Sequence, residues 1–135
     1  MTQEDKSLLL KDLCARLPYG LKVKCEKYSF PVTILYGGNI DEVKFIETGG
    51  IENICAIKPY LFPLSSMTEE QEESSPFEPS LLNAFINGHI SLFEDEELNI
   101  DDLNRLYDWF NKNHFDYRGL IEKGLAIDAT ELNIY

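Results

Sequence analysis

The chain has 135 residues, of which 44% are hydrophobic and 12% aromatic, and its formal net charge at pH 7 is −12. These values are typical of one folded domain, 1–135, and exclude a disordered chain. The negative charge argues against direct binding of nucleic acid or of an anionic membrane surface. No apolar run approaches the roughly 20 residues that span a bilayer, and the polar start lacks the features of a signal peptide, so we expect a cytoplasmic protein.

The charge is unevenly distributed along the sequence. Residues 1–60 contain eight acidic and eight basic side chains, whereas residues 61–135 contain sixteen acidic and four basic ones. Lysine and arginine are absent between Pro59 and Asn104. Like charges that lie close together favour a partner of opposite sign. We therefore divide the domain into a neutral, β-rich part at about 18–60 and an acidic, helical part at about 61–135.

The first predicted element is a helix over residues 3–17. Thr2 is suited to cap its start, and Leu10, Leu13, Cys14 and Leu17 fall at the spacing of one apolar face. Cys14 is therefore expected to pack in the core. The three cysteines, Cys14, Cys25 and Cys55, are odd in number and widely spaced, which favours reduced thiols over a disulfide framework.

Residues 21–58 change to the two-residue period of strands. Apolar and charged residues alternate over 21–26, a β-branched run follows Pro31, and a further alternation covers 43–48. Glycine pairs separate these segments, and Ile51 opens a fourth candidate strand. We predict an α+β fold with a four-stranded antiparallel meander, closed as a small SH3-like barrel that the first helix covers. An open sheet with helices on one side is the alternative.

The acidic part is predicted to be mostly helical. Pro59 and Pro63 exclude a helix or a central strand, so 58–64 is interpreted as irregular. Thr68 and Gln71 have the spacing of a capping box, which predicts a short acidic helix. Further helices are expected at 81–87 and from about 100, with short strands at 89–93 and 125–127 and a turn at 116–119.

No motif in the sequence carries recognisable chemistry. The acidic runs 69–73 and 94–97 lack the spacing of a calcium loop, and the histidines His89 and His114 have no local chelating partner. The glycine pairs lack the pattern of a phosphate-binding loop. We therefore predict no catalytic residue, no metal site and no cofactor. His114 follows a predicted helix, where its charged form would favour the helix dipole, so a capping role is expected.

Aromatic residues are dense near the end of the sequence, five of them within residues 107–117. Such residues dominate both protein cores and interface hot spots. Trp109 lies at the flank of the apolar stripe of its helix, which makes it the candidate for an exposed anchor. The interaction candidates are Trp109, Phe110, His114, Tyr117 and Arg118.

Three stretches of the sequence, Met1 to Gly20, Lys58 to Gln71 and Asn113 to Tyr135, carry specific phrases such as KPYLFPLSSMTEEQ and HFDYRGLI. Together they resemble a family of small uncharacterised proteins of gut anaerobic bacteria, often encoded near prophage or other mobile elements. The resemblance implies a bacterial or phage cytoplasmic setting and implies no catalytic residue.

Three hypotheses for the function follow. The first is a non-enzymatic protein-interaction module whose acidic part meets an unidentified, basic or apolar partner protein. The second is an acidic mimic of DNA that inhibits a host nucleic-acid-binding protein, with carboxylates in the places of phosphates. The third is an enzyme that uses His114, Asp116 and Tyr117. Strand edges of a small sheet can also pair between chains, so a homo-oligomer is a further expectation.

Overall fold

The structure is a computed structural model that describes residues 1–39, 42–76, 82 and 100–135. It has an α+β fold with an N-terminal helix, as the sequence predicts, but its sheet is mixed and not purely antiparallel. The predicted strand 89–93 and the acidic run 94–97 lie outside the described residues, as does the predicted helix 81–87 apart from Leu82, which is helical and buried.

Three α-helices and seven strands are defined in the described residues. The helices are α1 (Gln3–Arg16), α2 (Glu69–Ser74) and α3 (Ile100–Lys112). The strands are β1 (Lys22–Cys25), β2 (Val32–Asn39), β3 (Glu42–Phe45), β4 (Ile51–Asn53), β5 (Ile57–Pro63), β6 (Phe115–Asp116) and β7 (Ile127–Asp128).

Two of the helices begin with the caps that the sequence predicts. The Thr2 hydroxyl accepts a hydrogen bond from the Asp5 N–H, and the Asp5 carboxylate accepts one in return from the Thr2 N–H. The Thr68 and Gln71 side chains form the same reciprocal pair at the start of α2. Each pair satisfies backbone donors that a helix leaves free in its first turn.

The sheet has the strand order β4-β3-β2-β1-β5-β6, with β7 also pairing with β5. Neighbours from β4 to β5 are antiparallel, and β6 and β7 run parallel to β5. The chain passes from β4 to β5 through a single 3₁₀ turn, Ile54–Ala56, whose last carbonyl accepts a hydrogen bond from the Glu26 N–H. This bond holds the turn beside the end of β1.

Strand β5 corrects the prediction that 58–64 is irregular. It pairs with β1 over Ile57–Pro59, with β7 over Tyr60 and Leu61, and with β6 over Phe62 and Pro63. Each of these β5 residues pairs with a neighbouring strand along only one of the two edges of β5. Pro59 and Pro63 are therefore tolerated, because a proline lacks only the N–H and disturbs a ladder only on the side where that donor is needed.

Helix α1 corrects a second prediction, the position of its buried face. The buried residues are Leu9, Asp12, Leu13 and Arg16, whereas Cys14 is exposed. The buried face has helical spacing, but two of its four members are an aspartate and an arginine that neutralise each other. A prediction from apolar residues alone places the buried face of α1 about one residue too far toward the C-terminus. The prediction that Cys14 packs in the core is therefore wrong.

The core consists of two clusters of buried side chains. The larger one joins α1 to β1, β2, β3 and β5 and includes Leu9, Leu13, Val23, Phe45 and Leu61. The smaller one lies where α3 meets β6. It consists of Leu82, Leu106, Phe110 and Phe115, with half-buried Phe62, Leu64, Met67, Tyr107, Trp109 and Tyr117 around it.

Candidate functional site

The aromatic interaction candidates belong largely to the smaller core cluster. Phe110 is fully buried. The Trp109 ring is half-buried and lies 5.6 Å from the Phe110 ring and 5.5 Å from the Phe115 ring, stacked on the latter. The Tyr117 ring stacks on Phe110 at 5.4 Å and on the guanidinium of Arg118, which lies 4.4 Å from its centroid. These rings pack mainly against each other and leave only part of Trp109 and Tyr117 at the surface.

Beside this cluster lies a buried ionic group formed by Asp12, Arg16 and Arg118. The fully buried Arg16 guanidinium donates to both Asp12 carboxylate oxygens, at 2.9 and 3.1 Å. It also donates to the carbonyl oxygens of Phe115, at 2.6 Å, and Phe110, at 3.4 Å. Arg118 donates to Asp12 at 2.7 Å. Buried charges persist when they are paired and hydrogen-bonded in this way, and the group ties α1 to the end of α3.

His114 does not cap α3 with a charged side chain, which corrects the predicted role. Its backbone has a positive φ of 60°, and its side chain is buried with Nδ1 lacking a hydrogen-bond partner. Burial, followed by the nearby Arg16 charge, lowers the pKa of His114 to about 4. The imidazole is therefore neutral at physiological pH, and it stacks on the Tyr135 ring at 3.9 Å.

The groups of the enzyme hypothesis are engaged in internal contacts. Both Asp116 carboxylate oxygens accept backbone hydrogen bonds, from the N–H groups of Leu120 and Ile121, each at 2.9 Å. The Tyr117 hydroxyl donates to the Asn111 side chain at 3.1 Å. These contacts fix the turn that follows β6, and each Asp116 carboxylate oxygen accepts one backbone hydrogen bond within it.

Described residues also form surface grooves. One of about 470 Å³ is lined by Pro63, Ser65, Ser66, Asp128 and residues 130–132, which include Glu131. The Asp128 carboxylate accepts hydrogen bonds from the N–H and hydroxyl of Thr130. A smaller groove of about 220 Å³ lies between Lys24, Cys55 and Ile127. His114 lines neither groove, and the described residues contain no group of three His, Cys, Asp or Glu side chains placed to hold a metal ion.

The outer face of the sheet carries an exposed apolar surface that the sequence analysis missed. Phe30, Leu35, Ile46 and Ile51 are each 48–56% exposed, and we call them the apolar sheet face. Scattered exposed apolar side chains are normal on a protein surface, whereas a contiguous group indicates a binding surface. Whether these four lie together follows from the strand register.

The register places Leu35 and Ile51 on the strands either side of Lys44, and Ile46 lies in the turn directly after β3. Ile34 and Phe45 are paired and buried, and a register shift between Ile34 and Tyr36 puts Leu35 at an irregularity of β2, where it is exposed. Lys44 is opposite Ile51 on β4 and opposite Tyr36, next to Leu35, on β2. Leu35 and Ile51 are therefore near neighbours of Lys44 across the sheet, and Ile46 follows Lys44 by two residues.

The exposed Phe30 lies beside Tyr28, which packs against the core and reaches the backbone directly before Ile51. The Phe30 and Tyr28 rings are 5.6 Å apart, and Tyr28 also contacts the buried Phe45 ring edge-on at 6.0 Å. The Tyr28 hydroxyl lies against Gly50, directly before Ile51. A signal for this face is present in the sequence, because the pairs Ile34–Leu35 and Phe45–Ile46 are apolar at adjacent positions. A half-buried strand needs an apolar residue only at every second position.

Comparison with protein-family models, with curated proteins and with solved structures gave no match. Among the described residues, no helix has the length and apolar character required to cross a membrane.

Proposed function

We propose that this protein is a non-enzymatic interaction module that binds a partner protein through the apolar sheet face. The observation that carries the proposal is the exposure of four large apolar side chains, Leu35 and Ile51 on strands, Ile46 in the turn after β3 and Phe30 in the loop before β2. Their removal from water on binding would stabilise a complex at roughly 25 cal/mol per Å² of apolar surface buried. Such a surface on a folded domain is the usual mark of a binding site.

The partner that fits this surface has an apolar centre and basic flanks. The chain carries a net charge of −12, and the acidic excess lies in residues 61–135, where α2 presents Glu69, Glu70 and Glu73 to solvent. A basic partner would be attracted over a distance comparable to the Debye length, and its association would slow as salt increases. Apolar contact would supply the affinity, and charge would supply the association rate and the choice of partner.

We further infer that β1–β5 form a small SH3-like barrel that carries this face. Three features support the inference. The strand order β4-β3-β2-β1-β5 brings the last strand back to the first, all these neighbours are antiparallel, and a 3₁₀ turn separates β4 from β5. Such a barrel holds its outer face rigid, which reduces the entropic cost of binding. The three free cysteines support a cytoplasmic setting.

Two designed peptides test the proposal with defined probes. Both form an amphipathic helix with a leucine face, flanked by lysines in one peptide and by glutamates in the other. We expect the lysine peptide to bind and the glutamate peptide to bind at least about tenfold more weakly, because only the first complements the acidic chain. Isothermal titration calorimetry at low and at physiological salt measures both affinities.

Charge-neutral variants separate contact at the apolar sheet face from general attraction of a basic peptide. Ile46→Thr with Ile51→Thr removes apolar surface while keeping β-branched side chains in or beside the strands. Leu132→Ser is the matched control, since Leu132 is equally exposed but lies far along the chain in the segment after β7. The double variant should bind the lysine peptide about tenfold more weakly and the control should not. Equal binding by all three proteins would refute the proposal.

A further inference from the structure

The Tyr135 hydroxyl bridges β1 and β5 at the point where their ladder ends. The last β1–β5 pair is Val23 with Pro59, and beyond it the two backbones separate. The Tyr135 hydroxyl accepts a hydrogen bond from the Lys22 N–H at 3.0 Å and donates one to the Tyr60 carbonyl at 2.8 Å. The hydroxyl thus takes the place of the next rung, and burial raises the pKa of Tyr135.

Aromatic side chains contact the Tyr135 ring, in addition to the hydrogen bonds at its hydroxyl. The His114 imidazole stacks on it with the ring centroids 3.9 Å apart and the planes 12° from parallel. The Phe62 ring lies 5.9 Å away at a tilt of 53°. His114 Nδ1 is buried without a hydrogen-bond partner, and the imidazole presents its flat face to the phenol. Two aromatic rings and two backbone polar groups therefore contact the phenol, although Tyr135 as a whole residue is 44% exposed.

The residues that connect Tyr135 to the sheet are held much more loosely. Thr130, Glu131, Leu132 and Asn133 are all exposed. The contact nearest to the ring is a hydrogen bond from Lys22 Nζ to the Ile134 carbonyl at 3.2 Å. A segment with few buried contacts opens at low free-energy cost. The phenol is thus specifically bound at the end of a segment that is itself weakly anchored.

We propose that Phe62, His114 and the backbone of Lys22 and Tyr60 form a binding slot for a tyrosine side chain. Tyr135 occupies the slot in cis, and a tyrosine of a partner protein can occupy it when Tyr135 leaves. The hydroxyl selects a phenol over phenylalanine, because an apolar ring would leave the Lys22 N–H and the Tyr60 carbonyl unpaired. The slot depends on its own contacts and not on the apolar sheet face.

The test is complementation of a Tyr135→Ala variant by 4-methylphenol, which is the tyrosine side chain alone. Ligand binding to the folded state should raise the thermal unfolding midpoint in a saturable way, by about 4 °C at ten times the dissociation constant. The His114 ring protons should move upfield in NMR spectra as the phenol stacks on them. Wild-type protein should need at least about tenfold more 4-methylphenol, because Tyr135 already fills the slot.

Two controls decide the outcome. The first is 4-methylanisole, which keeps the ring but cannot donate a hydrogen bond to Tyr60, and it should give no comparable stabilisation. The second is Tyr135→Phe, which retains the stack, and hydrogen exchange at the Lys22 amide should be about tenfold faster than in wild type. The proposal is overturned if 4-methylanisole acts as well as 4-methylphenol, or if wild type and Tyr135→Ala respond alike. Unchanged Lys22 protection in Tyr135→Phe overturns it even where Tyr135→Ala does not fold.

Discussion

At the scale of single residues, His114 is a buried base whose environment favours its neutral form. Its neighbours are a tyrosine ring and the positively charged Arg16, and no carboxylate contacts the imidazole among the described residues. The pKa of about 4 in the folded state lies below the ordinary value of 6.5. Protonation therefore favours the unfolded chain, which binds a proton at a higher pH than the folded protein does.

This difference makes stability depend on pH in a defined window. The contribution of His114 is complete above pH 6.5 and is lost as the pH falls from 6.5 toward 4. We expect wild type to lose about 2 kcal/mol more free energy of unfolding between pH 7 and pH 4.5 than His114→Asn loses. Asparagine tolerates the positive φ and does not titrate. Urea unfolding at both pH values measures the difference, and parallel losses in the two proteins would show that His114 does not contribute.

At the scale of elements, the β3–β4 hairpin has two glycines with different roles. Gly49 has a φ of 65°, which other residues rarely adopt, and there is open space around its Cβ position. At Gly50 a Cβ atom would lie 2.7 Å from the Tyr28 hydroxyl. The first glycine is required by backbone conformation and the second by a side chain that lies over it.

Alanine substitutions separate these roles. Gly49→Ala should lower the free energy of unfolding by about 1 kcal/mol because of the left-handed conformation, without moving Tyr28. Gly50→Ala should displace the Tyr28 ring and change the NMR shifts of Phe30 and Phe45, which contact it. Each variant serves as the control for the other. Identical NMR shifts of Tyr28 in both variants would contradict the separate roles assigned to the two glycines.

Local patterns in the sequence predict elements well where the deciding interaction lies within a few residues. The caps at Thr2 and Thr68 and the α+β class are examples, because each depends on near neighbours along the chain. The buried face of α1 was misplaced because the Asp12–Arg16 pair is buried by partners far along the chain, Arg118 on Asp12 and the Phe115 carbonyl on Arg16. Strand β5 was missed because its prolines are tolerated only through one-sided pairing with strands from distant parts of the sequence. Neither long-range contact has a local signature.

The same difference between local and long-range interactions decides how much of the candidate site can be predicted. The aromatic group 107–117 is visible in the sequence, but the structure uses it mostly to fill the smaller core cluster. The apolar sheet face has a sequence signal, because apolar residues stand at adjacent positions in its strands. The strand register decides which of these side chains lie near each other. The position of Tyr135 has no local signal at all, because the hydroxyl meets Lys22 and Tyr60 across 113 and 75 residues.

At the scale of the whole molecule, the ionic group of Asp12, Arg16 and Arg118 joins the first helix to the last third of the chain. Asp12→Ala would leave the Arg16 guanidinium buried without a counter-charge, and we expect it to cost about 3–5 kcal/mol. This is a large share of the stability of an ordinary domain, about 5–15 kcal/mol. Urea unfolding at neutral pH measures the loss.

The double variant Asp12→Leu with Arg16→Met tests the reason for that loss. It removes both fully buried charges and leaves unpaired only Arg118, whose side chain reaches solvent, so it should be more stable than Asp12→Ala although it changes two residues. Glu52→Gln, which breaks the surface ion pair with Lys27, is the control and should have little effect. A double variant no more stable than Asp12→Ala would show that burial of an uncompensated charge is not the cause.

The changing partners of β5 also have a consequence for biosynthesis. Residues 1–63 contain α1 and β1 to β5, which are the antiparallel strands of the described sheet, so this portion can begin to assemble while the ribosome is still adding the rest. The other side of β5 must wait for Phe115 and Ile127, which emerge more than fifty residues later. During that interval the half from Tyr60 to Pro63 presents an unpaired edge to the cell, and chaperones or neighbouring nascent chains have their best access to this protein at that stage.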